Sequence, residues 1–144
     1  RSSDLFPLFL MMLRTNGAPR LIGACGIGNL NNDAELGYWI GRPYWGLGFA
    51  TEASRAVIEI AKTIGHKKLV ASHFTDNPAS GNVLRKLGFQ STGKTALRHS
   101  NGRGIATTCA LYERSLEDAV TDDGDMRSAR PLGIREYMDS LQAA

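Results

Sequence analysis

A glycine pair, Gly46 and Gly48 around Leu47, stands immediately before an apolar run with helical spacing. The first amides of a helix have no partner inside it, and the helix dipole adds positive potential there, so such a start attracts anions. Glycine also lets the backbone approach a phosphate closely. The same residues would serve a strand-to-helix turn that needs glycine only for its geometry, and the loop by itself leaves both readings open. Two phosphate motifs are excluded. No lysine lies between Trp45 and Arg55, so there is no P-loop, and Thr51 stands where a dinucleotide fingerprint requires its third glycine.

The other chemistry-bearing residues are scattered. His66, His73 and His99 are isolated in sequence, and Cys25 and Cys109 each lie in an apolar stretch. Metal sites need clustered donors, so no metal is expected. Two distant cysteines read as buried free thiols of a reducing compartment. Trp39, Tyr44 and Trp45 read as packing or rim aromatics, because such rings bury large areas.

These residues must be positioned by strands and helices. Residues 8–14 are apolar and read as a strand, Asn16-Gly17 as a tight turn, and Leu21 to Ile27 as the partner strand of a hairpin. Gly28 to Asp33 reads as a turn cluster. Ala34 to Ile40 reads as a third strand, with Leu36, Tyr38 and Ile40 on one face and Glu35, Gly37 and Trp39 on the other. Past the glycine loop, Ala53, Val57, Ile60, Ala61 and Ile64 give a helix its apolar face, and Gly65 stops it. Lys68 to Phe74 reads as a fourth strand. Asn77-Pro78 reads as an N-cap and first helical residue, and the helix stops at Gly88. Phe89 to Thr95 and Ile105 to Arg114 are the last strands, joined around Asn101-Gly102. Because an antiparallel hairpin opens the order, a dinucleotide-binding βαβ start is excluded again.

Two segments of this chain resemble the signatures of the RimJ/RimL-like branch of GNAT N-acetyltransferases. The first is Leu36-Gly37-Tyr38-Trp39-Ile40 followed by Pro43-Tyr44-Trp45-Gly46-Leu47-Gly48-Phe49-Ala50-Thr51-Glu52-Ala53. The second is Asn77-Pro78-Ala79-Ser80, then Val83, then Lys86-Leu87-Gly88-Phe89. They occur in order, separated by a helix and a strand, and the likeness covers roughly residues 8–116. The resemblance implies an α/β (α+β) GNAT-type acyl-CoA N-acyltransferase fold. Its mixed, mostly antiparallel sheet has a splayed strand pair and flanking helices.

The resemblance also implies acetyl-CoA as co-substrate and no metal. The backbone from Trp45 through Gly46, Leu47, Gly48 and Phe49 to Ala50 would hold the pyrophosphate. Ile40 would pair with the pantetheine arm between the third and fourth strands, and Asn77 and Ser80 would face the pantetheine and thiol end. Pro43 replaces the family's more usual Gln or Arg, and Arg42 beside it would supply a cation. Asn77 as a cap only, and Ser80 as an ordinary solvated helix residue, are the plainer readings.

Acetyl transfer needs a neutral amine, and an aliphatic ammonium has a pKa of roughly 10, so a general base must take a proton. Glu35 is the base candidate, against the plain reading of an exposed edge carboxylate. Tyr112 and Glu52 are weaker candidates, Glu52 being better suited to the helix start. Backbone N–H groups of the third strand would stabilise the developing oxyanion. Leu84 occupies the position where many family members carry a thiolate-facing tyrosine, and leucine cannot donate. Ser80 is then the nearest hydroxyl by resemblance.

At 144 residues the chain has the size of one domain and enough material for a core without staples. Residues 1–114 carry 14 Lys/Arg and 7 Asp/Glu, whereas residues 115–144 carry 3 and 7. A basic body suits a polyanionic ligand. No basic run interleaved with aromatics occurs, so nucleic acid is not the expected partner. The longest apolar run, Leu5 to Leu13, is shorter than the roughly 20 residues a membrane span needs and lacks a cleavage site, so the expected location is the cytoplasm.

The expected partner is an amine acceptor, a protein N-terminus or a small molecule, with a homodimer as a further possibility. The competing reading is a non-catalytic module that holds acyl-CoA as a regulator. Residues 1–116 form the expected GNAT domain, which lacks the family's usual opening strand and two helices. Residues 117–144 form an acidic linker and tail, with residues 115–129 polar and Ile134 to Leu141 helical. The tail is expected either to pack where the opening would lie or to remain an appendage.

Overall fold

The computed structural model describes residues 2–100 and 104–117. A four-residue helix, α1 (Ser2–Leu5), leads into β1 (Leu8–Leu13). Leu5 O meets His66 Nε2 at 2.5 Å, and the Phe6 and His66 rings lie 5.7 Å apart. The turn after β1 is not a two-residue Asn-Gly turn. It spans six residues, and Thr15 Oγ1 organises it by accepting from Gly17 N and donating to Ala18 O.

The second strand, β2 (Arg20–Leu30), is longer than its apolar part suggests. Gly28, Asn29 and Leu30 remain in register with Glu35, Ala34 and Asp33 of β3 (Asp33–Ile40). The expected turn cluster therefore shrinks to Asn31-Asn32, with φ of 49° and 71°. Two successive positive φ values match the twist of a two-residue hairpin, and asparagine tolerates them better than most residues.

After β3 come a single 3-10 turn (Arg42–Tyr44) and α2 (Phe49–Thr63). Gly65, at φ 99°, stops α2, and β4 (Lys68–Phe74) follows. In α3 (Pro78–Lys86), Asn77 Oδ1 caps the first turn by accepting from Ser80 N at 3.4 Å. Gly88, at φ 84°, ends it, and Phe89 N returns to Leu84 O at 3.0 Å. The last strands are β5 (Gln90–Ser100) and β6 (Ile105–Ser115). β5 runs past the expected Thr95, with a register shift between Ser91 and Thr95 where Gly93 takes φ 74°.

Together the strands form one six-stranded sheet in the order β1-β2-β3-β4-β6-β5. All neighbours are antiparallel except β3 and β4. Both longer helices lie on one face. Ser54 of α2 reaches Cys25 Sγ at 3.7 Å, Ser80 of α3 reaches Tyr38, and Cys25 and Tyr38 are register partners. Between helices and sheet lies the core, which includes Ile27, Leu36, Ile58, Leu69, Leu84 and Phe89. The buried arc of α2 is wider than the expected stripe, adding Ser54 and Ile58, because α2 packs on the sheet and beside α3 at once.

Cys25 and Cys109 are free and buried, as expected. Leu116 packs in the core and its N–H donates to Lys67 O at 2.8 Å, so the chain remains structured through residues 115 and 116, where the polar linker was expected to begin. The Asn101-Gly102 turn and residues 118–144, with the expected helix from Ile134 to Leu141, lie outside the described residues. Among the described residues, no helix covers the opposite face of the sheet, where Leu8, Leu10, Met12 and Trp39 are at least half exposed.

Candidate active site

The parallel pair β3 and β4 shares a single register pair, Glu35 with Val70. β3 continues to Ile40 and β4 to Phe74, so five residues of one strand and four of the other lie beyond the last bridge. The two strands splay there. Backbone donors and acceptors along a splayed pair have no ladder partner on that side and are open to a ligand.

The glycine loop lies past the end of β3. Gly41 N donates to Ile22 O at 2.8 Å, and Tyr44 N and Trp45 N close the 3-10 turn onto Gly41 O and Arg42 O. Gly46 and Gly48 take φ of 74° and 84°, and a Cβ built at either meets nothing within 4 Å. Glycine is thus required here by backbone conformation, with open space left over the loop. Gly48 caps α2 without any side-chain hydrogen bond, and its carbonyl takes Glu52 N at 3.0 Å. Phe49 and Ala50 begin the helix, and their first-turn amides face no capping side chain.

The expected cofactor residues do not all stand free. The Trp45 indole donates to Ile40 O at 2.7 Å, which uses one lone pair of the carbonyl expected to meet pantetheine. The Arg42 guanidinium lies 5.5 Å from the Trp45 ring centroid, stacked on the aromatic face. Trp45 and Leu47 are exposed on the outside of the loop.

Across the gap, the start of α3 brings Asn77 and Ser80 together through the cap. Ser80 is half-buried, and its Oγ lies 3.0 Å from the Tyr38 hydroxyl of β3. Burial pushes the Tyr38 phenol up from its ordinary value of 10.0, with the Ser80 hydrogen bond opposing that rise. The sequence reading put Tyr38 on the correct face but gave it no role. The available signal was a phenol on an otherwise apolar strand face, where a hydroxyl needs a partner. Leu84, a turn beyond Ser80, is buried in the core.

Glu35 stands at the closed end of the splay, on the face opposite Tyr38. It is not a solvated edge carboxylate: Arg98 of β5 pairs with it at 2.6 Å, with each side chain about a quarter exposed. Arg98 also donates to Ser72 Oγ of β4 at 3.2 Å. Glu35 and Ser80 are therefore not neighbours but lie on the two faces of one gap. Tyr112 is buried on the helix side, where Arg85 Nη1 donates to its hydroxyl at 3.1 Å and His73 Nε2 lies 3.3 Å from it. Both contacts tie the Tyr112 hydroxyl to α3 and β4 on the helix side, away from Glu35. Glu52 lies in the first turn of α2, beside a groove about 560 Å³ in volume shared with Phe9, Met11 and Ile22.

Residues 2–90 match the domain family described as "Acetyltransferase (GNAT) domain". The chain is 36% identical over 77 residues to an uncharacterized N-acetyltransferase, p20, of Bacillus licheniformis, covering 51% of this chain and 43% of that protein. It thus spans less than half the length of that relative. Among solved structures it resembles yncA of Salmonella typhimurium, solved with its cofactor acetyl-CoA, at TM-score 0.66 and 18% identity over 86% of this chain and 72% of that one. It also resembles a ribosomal-protein-alanine N-acetyltransferase of Brucella melitensis, at TM-score 0.66 and 21% identity over 81% and 72%. Both structural likenesses concern the fold.

Proposed function

Since this chain belongs to the GNAT acetyltransferase family, we propose that it binds acetyl-CoA along the β3–β4 gap and transfers the acetyl group to a primary amine. The observation that carries this reading is the single Glu35–Val70 bridge, with a glycine-capped helix start beyond one strand and a pair of hydroxyls across the opening. The donor set suits the ligand. Unfilled first-turn amides suit a pyrophosphate, open strand backbone suits the amides of a pantetheine arm, and the hydroxyls suit its thiol end.

Bound acetyl-CoA supplies a thioester carbonyl open to attack and a thiol leaving group. The residues of the chain do the rest. The loop from Trp45 to Ala50, with Arg42 beside it, holds the phosphates. Ile40 N–H and C=O orient the arm, the carbonyl by its second lone pair. Strand N–H groups of β3 receive the charge that builds on the carbonyl oxygen. Ser80 stands by the departing sulfur. Glu35, on the opposite face, takes the amine proton through the carboxylate oxygen that Arg98 leaves free, directly or by one water. With base and sulfur donor on opposite faces, the amine can be deprotonated from one side of the gap while the departing sulfur is met from the other.

The acceptor is a protein N-terminal amine, as in the RimJ/RimL-like branch, or a small-molecule amine. A regulatory acyl-CoA-binding role without chemistry is the second reading. It draws on Leu84 in place of a thiolate-facing tyrosine and on the Arg98 clamp over Glu35. Thiol release from acetyl-CoA, measured with a panel of N-terminal peptides, amino sugars and polyamines, decides between them. Amine-dependent release establishes the transferase, and tight binding with no release for any amine establishes the module.

A further inference from the structure

The Tyr38 hydroxyl and Ser80 Oγ are 3.0 Å apart, joined across 42 residues of sequence. The geometry points to a fixed direction for this bond: we infer that Tyr38 donates to Ser80 Oγ and thereby turns the Ser80 hydroxyl hydrogen into the gap, toward the sulfur of the bound thioester. Tyr38 is then a positioning residue that acts through Ser80. The inference rests on the acetyl-CoA reading above and adds a residue and a bond direction to it.

Acidity, the supply of acceptors and the helix cap favour this direction. Phenol is the stronger acid of the two hydroxyls and the better donor. Among the described residues, Ser80 Oγ is the hydrogen-bond partner of the Tyr38 hydroxyl, so donation the other way would leave the phenolic hydrogen of this partly buried side chain without a protein acceptor. Ser80 sits in the first turn of α3, across the gap from β3. Its backbone N–H is already bound to Asn77 Oδ1, so the cap fixes the residue without occupying its hydroxyl. The Tyr38 phenol is protonated at neutral pH at its ordinary value of 10.0, and burial pushes it further up, so it remains a donor.

The transfer step balances without either hydroxyl losing a proton. The nitrogen–carbon bond forms, and the carbon–sulfur bond breaks with its electron pair left on sulfur. The proton surrendered by the amine goes to the base, and solvent later supplies the one that the thiolate takes up. Ser80 O–H donates to the charged sulfur, and the Tyr38 donation strengthens that bond by polarising the serine hydroxyl.

The test reads the thiol rather than the transfer. Coenzyme A is bound to the full chain, and its thiol is titrated by the ultraviolet absorbance of the thiolate. Ser80→Ala is expected to raise the bound thiol pKa by roughly one unit, and Tyr38→Phe by about half of that. The double variant should match Ser80→Ala alone, because Tyr38 acts only through Ser80. Tyr38→Phe keeps the ring and its packing, and a thermal melt checks that the fold is retained. A thiol titration unmoved by Tyr38→Phe, or a double variant whose shift is the sum of the two, overturns the inference. Calorimetry on the unaltered chain separates the two layers: if coenzyme A does not bind, the acetyl-CoA reading fails, and if it binds with the wrong thiol response, only the Tyr38 assignment fails.

Discussion

Arg98 reaches from β5 across β6 and β4 to place Nη1 at 2.6 Å from Glu35 Oε2 on β3. The pair ties the outermost strand of one side of the sheet to the closed end of the splay, and Ser72 of β4 steadies it midway. A carboxylate so held has a fixed direction and one oxygen to spare. If Glu35 is the general base, Glu35→Gln abolishes the acidic limb of the pH–rate profile of amine acetylation. An unchanged limb returns Glu35 to a purely structural role.

Arg98→Met tests the other partner. It leaves a mostly buried carboxylate without its counterion, which costs about 1–3 kcal/mol in a denaturant titration. A stability change below about 0.5 kcal/mol would show the pair to be solvent-screened in solution.

Gly46→Val and Gly48→Val each force a β-branched residue to positive φ, at about 1–2 kcal/mol of backbone strain. Because the added side chains point into open space, the fold survives while the amides lose their geometry. Calorimetry is expected to find acetyl-CoA affinity lowered at least about tenfold in both. Unchanged affinity would remove the loop from the binding site.

Gly37 offers the complementary case. It lies between Glu35 and Trp39 on the open face, without a positive φ, and a Cβ there meets nothing within 4 Å. Gly37→Ala should leave the melting temperature the same or slightly higher. A fall in turnover at constant stability would mean that this space is used by the acceptor.

In a helix interior, Gly→Ala ordinarily stabilises by up to about 1 kcal/mol. Gly81→Ala in α3 should do the reverse. The new Cβ would stand 2.8 Å from His73 Nε2, and the ring cannot step aside because Nδ1 is held at 2.7 Å from Phe74 O and Nε2 faces Tyr112. We expect a loss of about 1–2 kcal/mol in chemical denaturation, with acetyl-CoA affinity falling as α3 and Ser80 are pushed off the sheet.

Cys25 carries an alkaline signature. Burial pushes its thiol from 9.0 up to about 11. A thiol raised on folding favours the folded state while both forms are protonated, and that advantage is lost as pH rises. Stability should therefore fall between about pH 9 and pH 11, by about 2–3 kcal/mol in all. Cys25→Ala should flatten that fall, and a slope identical in the two proteins would assign it to other groups.

Local signals were legible because their cause is local. Gly65 and Gly88 as helix stops, Asn77-Pro78 as cap and first turn, and β4 from Lys68 to Phe74 follow from backbone freedom, capping and apolar patterning alone. Gly28-Asn29-Leu30 misled because its composition is that of a turn, whereas pairing with Asp33 to Glu35 extends the strand through it. The site was half legible. Its glycine loop is contiguous, but the partners of Ser80 and Glu35 are 42 and 63 positions away. Contacts at that separation are made by the sheet order, which no window of sequence contains.

The lone Glu35–Val70 bridge divides the sheet into two three-stranded ribbons, β1-β2-β3 backed by α2 and β4-β6-β5 backed by α3. Backbone cooperativity is interrupted at that seam, and among the described residues the ribbons communicate through apolar side chains and polar struts such as Tyr38–Ser80 on one face and Glu35–Arg98 on the other. Amide exchange should accordingly resolve two protection classes in the free protein, one for each ribbon. A ligand lying along the seam would merge them into a single unit that opens only with the whole fold.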